Sequence, residues 1–221
     1  LLARKSALTK LVRPWFAGGT ITIASVQAEK HFLAEGEQAF EEGTLNYLNI
    51  PAVGIGLKHI ELIGIDVIHD RVSYLTSWLM ENLLSLRHSN GMPLVRVYGP
   101  ATMEARGGTL TINFYDPKDI LIDHRRIDSL AGRVGISLRT GCFCNPGAGE
   151  LAHGLTEEDM AAAFKNGERM TFEQFLSVLE DRDGKSAGAV RISMGLVSNF
   201  ADVYKFLEFA RSFIDQTAGE V

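Results

Sequence analysis

The stretch "PLVRVYGPATMEARGGTLTINFYD", residues 93–116, decides the fold. Two runs within it, 93–99 and 108–116, alternate apolar with polar residues and are bounded by Gly or Pro. That is the pattern of half-buried strands. Upstream, Ile50, Val53, Leu57 and Ile60 recur at helical spacing over 47–64, with Gly64 as the stop. A second amphipathic helix over 66–86 carries Val67, Val72, Leu75, Leu79 and Leu83 on one face, and "SNG" (89–91) closes it. Downstream the sequence predicts a helix over 125–133, a short strand "GISL" (135–138) and a glycine-rich loop holding both cysteines. Thr156-Glu-Glu-Asp159 and Thr171-Phe-Glu-Gln174 each start a helix as a capping box. A strand over 189–195 and a helix over 199–214 follow, the helix with Phe200, Val203, Phe206, Leu207 and Phe209 on its apolar face.

From residue 45 the order is therefore α-α-β-β-α-β-α-α-β-α. Short strands with local connections predict an α+β domain: a mostly antiparallel four-stranded sheet with helices packed on one face. The first 44 residues read differently. A basic-apolar stretch (5–12) stops at Pro14, "FAGGT" (16–20) is a glycine loop, "TITIAS" (20–25) is a short strand, and 35–43 is acidic and solvated. This part does not look self-sufficient, so the boundary is expected at 44/45, giving segments 1–44 and 45–221.

Composition narrows the function. Apolar content of 46% and charged content of 22% over 221 residues are ordinary for a globular chain. A net charge of −5 lacks the basic footprint of a nucleic-acid binder. Two cysteines are too few for a disulfide framework. No apolar run is long enough for a helix to span a membrane, and "LLARKSALTK" has no signal-peptide pattern, so a cytoplasmic location is expected. The chain also lacks an initiator methionine and opens mid-pattern, which suggests that the polypeptide began earlier.

The chemistry points to "SLRTGCFCNPGAGE", residues 137–150. Its glycines and proline suit a shaped, exposed loop, with Asn145-Pro146-Gly147 as a tight turn and Arg139 placed to favour a thiolate at Cys144. Three readings of Cys142 and Cys144 remain open from the residues alone. They are small apolar side chains in a packed loop, half of a metal site completed by His124 or His153, or a nucleophilic thiol. A lone C-x-C lacks the paired motifs of structural zinc, so no metal is expected.

"RTGCFCNPGA" resembles the persulfide-bearing loop of the cysteine desulfurase branch of class V, fold-type I, pyridoxal-phosphate enzymes, most closely the desulfurase-like domain of molybdenum cofactor sulfurases. Matching stretches follow in order: "RPWFAGGT" (13–20), "FEEGTLNYLNIPAVGIGLKHIELIG" (40–64), "NGMPLVRVYG" (90–99) and "VRISMGLVSNFADVYKFLEF" (190–209). The resemblance implies that 1–44 is the tail of the α/β large domain and that 45–221 holds linking helices and the small domain, with the Cys loop at 139–150. It implies Cys144 as the persulfide nucleophile and Cys142, in the family's variable slot, as secondary. Gly149 stands where sulfurase-type relatives often have a further cysteine. Arg191 is implied as the grip on the substrate α-carboxylate, with Arg139 beside it. Thr44 and Gly43 are implied to hold the cofactor phosphate across a homodimer interface, with Gly18, Gly19 and Thr20 as softer candidates.

The implied cofactor is pyridoxal 5′-phosphate, whose Schiff-base lysine lies upstream of the glycine loop. None of the eight lysines here has that context, so the chain by itself is not expected to be a competent catalyst. In the intact protein the implied reaction takes sulfur from L-cysteine as a Cys144 persulfide, releases alanine and passes the sulfur to molybdenum cofactor or a protein thiol. Two alternatives stand beside it. One is a class V lyase, epimerase or transaminase with a vestigial thiol, and the other a non-enzymatic sulfur carrier or redox module. The residues leave selenium against sulfur, and the final acceptor, open.

Overall fold

A computed structural model describes residues 2–12, 19–165, 169–183 and 185–221. Contacts divide the chain into two units, 1–63 and 64–221. The helix that follows the expected 44/45 boundary thus groups with the first segment.

The first unit is small. A short helix α1 (Lys5–Leu8) precedes strand β1 (Ile21–Ser25), which pairs antiparallel with β2 (Lys30–Leu33), a strand the sequence reading missed. The acidic stretch forms a 3-10 turn over Gly36–Phe40 that buries Ala39. Helix α2 (Ile50–Ile63) has the predicted periodicity, yet it buries no residue, and Ile50, Val53, Leu57 and Ile60 are exposed.

The second unit holds the core. Helix α3 (Ile65–Ser85) buries Leu75, Leu79 and Leu83, close to the predicted stripe, whereas Val67 is exposed. Strands β3 (Val95–Tyr98) and β4 (Thr109–Phe114) lie within the predicted runs 93–99 and 108–116 and pair antiparallel. After α4 (His124–Arg133) come β5 (Arg139–Gly141), helices α5 (Pro146–His153), α6 (Glu157–Ala163) and α7 (Phe172–Asp183), strand β6 (Ala189–Ser193) and α8 (Phe200–Arg211). The sheet has the order β3-β4-β6-β5 and is antiparallel throughout, where short strands with local connections predicted a mostly antiparallel one.

Alternation sorts the strand residues into two faces. Leu110, Ile112, Phe114, Val190 and Ile192 enter one core with Leu79 and Leu83 of α3 and Phe206 and Leu207 of α8. Burying each large side chain of this kind stabilises the unit by about 1.5–3 kcal/mol. The caps follow the sequence. Thr156 and Asp159 form a reciprocal capping box, Thr171 and Gln174 another, and Asn199 with Asp202 caps α8.

Two expectations shift. The strand near the cysteines covers 139–141, not 135–138, because backbone pairing with β6 begins at Arg139↔Arg191. Ile136 and Leu138 instead lie against the core outside any strand. Asn145-Pro146-Gly147 is likewise not a free turn. Asn145 accepts the Ala148 N–H and caps α5, where Pro146 occupies the first turn. Proline suits that position because its missing N–H would be unpaired there anyway. The cysteine segment is thus a short link between an edge strand and a helix.

Candidate active site

The register draws one row across the open face of the sheet. Tyr98 faces Thr111, Thr111 faces Arg191, and Arg191 faces Arg139. Directly opposed residues share a face, so two arginines from neighbouring strands stand side by side. Val190 and Ile192 are buried in the core beneath, which fixes Arg191 on the open side. The Arg191 guanidinium lies over the Phe143 ring at 5.2 Å from its centroid. Its Nε is buried without a hydrogen-bond partner among the described residues.

The thiols differ in setting. Both are free, Cys144 exposed and Cys142 half-buried. Cys142 borders two cavities of about 380 and 590 Å³, together with Gly149 and Ala187. The smaller one is walled by Leu155, Met160, Phe164 and Phe175. The larger one runs between α5 and the open sheet face, reaching Tyr98, Thr111 and His153. Cys144 borders neither.

The far wall of the larger cavity is neutral. Tyr98 shares a hydrogen bond with the Tyr115 hydroxyl at 3.1 Å and accepts one from Asn113 Nδ2 at 3.2 Å. Burial, reinforced by Tyr115, pushes the Tyr98 phenol well up, so it stays protonated. The His153 ring stands 5.2 Å from Tyr98. Burial, and then the neighbouring His124, push its pKa down, leaving it neutral at pH 7. The positive charge of the open-face row therefore comes from Arg191 and Arg139. Sequence reasoning missed Phe143 and Tyr98, and it considered His153 only as a possible metal ligand. The one available signal was alternation, which sets Tyr98 on the face away from the core, but nothing in spacing reveals cross-strand register.

The expected phosphate residues fall in the first unit, and the fold brings two of their segments together. A Cβ on Gly19 would lie 3.1 Å from Gly43 N and 3.2 Å from Gly43 O, so only glycine allows that approach. Gly19 and Gly43 have φ of 89° and 76°, and the space over Gly43 is open. Thr44 is exposed beside it, while Thr20 is fully buried and turned into the unit. Gly18 lies outside the described residues. Gly43 and Thr44 offer an open backbone and a hydroxyl, donors that fit a phosphate; buried Thr20 does not. Among the described residues no cluster of three His, Cys, Asp or Glu side chains is arranged to hold a metal. No helix there is long and apolar enough to cross a membrane.

The second unit is thus an α+β domain whose antiparallel sheet is sealed on one face and carries a thiol-bearing link and two arginines at the other. The chain belongs to the aminotransferase class-V family, whose model matches residues 1–206. It is 35% identical to a molybdenum cofactor sulfurase of Solanum lycopersicum over 216 residues, 96% of this chain but 25% of that protein. The human molybdenum cofactor sulfurase is 32% identical over 95% of this chain and 24% of its own length. The chain thus spans about a quarter of these relatives. Among solved structures, a cysteine desulfurase from Thermococcus onnurineus matches with a TM-score of 0.59 at 20% identity, covering 96% of this chain and 41% of that one. The cystine C–S lyase C-DES, in complex with cysteine persulfide, matches with a TM-score of 0.57 at 14% identity, over 96% and 41%. Pyridoxal phosphate is the cofactor of this family.

Proposed function

We propose that this chain is the sulfur-accepting part of a pyridoxal-phosphate-dependent cysteine desulfurase-like enzyme. In the intact protein it takes sulfur from L-cysteine and passes it on, with molybdenum cofactor as the favoured acceptor and a protein thiol as the other. The observation that carries this reading is the open-face row: Arg191 with a buried, unpartnered Nε, next to the link that exposes Cys144. The 35% identity to a molybdenum cofactor sulfurase supports the choice of acceptor.

Each residue has a defined task. Arg191 receives the substrate α-carboxylate through its planar fork, and the vacant Nε–H supplies one of the donors. Arg139, exposed on the edge strand, adds positive charge. The cofactor, when bound, supplies an electron sink that weakens the bond between the substrate sulfur and its carbon. The Cys144 thiolate attacks that sulfur: an S–S bond forms, the C–S bond breaks, and the released carbon skeleton is protonated to alanine. Gly43 and Thr44 would hold the cofactor's phosphate, contributed across a homodimer interface. Tyr98, Thr111 and neutral His153 line the cavity beside Cys142 and add no charge that competes for the carboxylate.

The test is to incubate the intact enzyme with L-cysteine, digest it without reductant and measure peptide masses. A one-sulfur increase on the Cys144 peptide, with matching alanine release, is expected. Alanine formed with no adduct on Cys144, also under rapid quenching, removes the reading in favour of a vestigial thiol.

A further inference from the structure

The link that carries Cys144 adopts a conformation its own residues disfavour. The Cys142 carbonyl accepts the Asn145 N–H at 3.3 Å, while Phe143 and Cys144 have φ of 53° and 54°. Two central residues at positive φ define a type I′ turn, normally built from Asn and Gly. A bulky aromatic in the left-handed region is a genuine outlier and must be held by its surroundings. The described structure offers one specific hold: the Phe143 ring under the Arg191 guanidinium, 5.2 Å away. That guanidinium has its Nε buried and unused. A carboxylate arriving on its edge makes charge-assisted hydrogen bonds, neutralises the charge that attracts the ring and weakens the hold.

The geometry points to Phe143 as a positioning residue that parks the Cys144 turn until Arg191 takes up a substrate carboxylate. Carboxylate binding then loosens the ring, the turn leaves its left-handed conformation, and Cys144 becomes free to move to the substrate sulfur. The inference rests on the reading of Arg191 as the carboxylate grip. It ties recognition at one end of the substrate to mobility of the nucleophile at the other.

The alkylation rate of Cys144 by iodoacetamide, followed by peptide mass spectrometry on the intact enzyme, reads this directly. With each rate taken as the high-pH plateau of its alkylation–pH profile, where the thiol is fully ionised, Phe143→Leu and Arg191→Met are each expected to speed alkylation about two- to five-fold, the range a single cation–π contact supports. The double variant should be no faster than the faster single, and Phe143→Tyr should restore the wild-type rate. L-alanine, which has the carboxylate but no thiol, should speed the wild type by a similar factor and leave Phe143→Leu unchanged. L-alaninamide, lacking the carboxylate, should do nothing. Arg191→Gln, which also removes the charge, serves if Arg191→Met folds poorly. Singles that match the wild type, a double that multiplies their effects, or an alanine effect that persists in Phe143→Leu would each overturn the inference. Alkylation needs no turnover, so such a result leaves sulfur trapping on Cys144 as a separate question.

Discussion

The two faces of the four-stranded sheet are built from alternate residues of the same strands and have opposite character. On one face Leu110, Ile112, Phe114 and Val190 are fully buried under α3 and α8. On the other, Tyr98, Thr111, Arg191 and Arg139 form a row beside the thiols, only partly covered. Val190 and Arg191 are neighbours in sequence, yet one is sealed in the core and the other faces the row beside the thiols. The covered face needs volume and apolarity, whereas the open face needs register, because its residues meet only across strands.

This contrast is broken most easily at its extremes. Phe114→Ala empties a fully buried site and is expected to cost about 3–5 kcal/mol in urea unfolding, collapsing both faces together. Arg191→Leu should leave the urea midpoint nearly unchanged and raise the KM for cysteine in the intact enzyme roughly ten- to a hundred-fold. If Arg191→Leu unfolds the protein instead, the open face is structural after all.

Gly188 tests the seam between the faces. A Cβ there would sit 2.1 Å from His124 Cε1, so Gly188→Ala forces the ring aside at about 1–3 kcal/mol by thermal unfolding. A neutral substitution would mean that the ring moves freely.

The smallest effect is the pH response. Burial lowers the pKa of both His124 and His153 below the ordinary 6.5. The unfolded chain then binds protons that the folded one refuses, so stability is full above about pH 7 and falls as pH drops below 6.5. His153→Gln should flatten that slope in urea titrations, and an unchanged slope would return His153 to an ordinary surface role. At much lower pH a second loss is expected, because hydrogen bonding to Lys185 and Thr156 holds the Asp159 carboxyl well below the usual range.

Alternation and capping signals made much of the second unit legible. Strands β3 and β4, α3, α6, α7, β6 and α8 form where period, caps and breakers predict them. What failed has a physical cause in each case. Strand β2, "KHFL", is too short and polar to announce itself, and pairing with β1 decides it. β5 lies at Arg139–Gly141 because β6 sets the register, which local sequence does not record. Helix α5 was hidden by the composition of "NPGAGELAH", where Pro and two Gly read as loop until Asn145 is seen as its cap. At the site, the family resemblance singles out Arg191 and ranks Cys144 above Cys142, roles that the proposed variants test. Phe143 was not legible, because its importance arises from a left-handed turn and a cross-strand partner.

Cysteine-dependent sulfur trapping on two single-cysteine variants of the intact enzyme tests the central claim most directly. With Cys142→Ser the one-sulfur adduct should persist on Cys144, and with Cys144→Ser it should vanish while the protein stays folded. An adduct on Cys142 in the Cys144→Ser enzyme, formed at the wild-type rate, would contradict the assignment of Cys144 as the nucleophile.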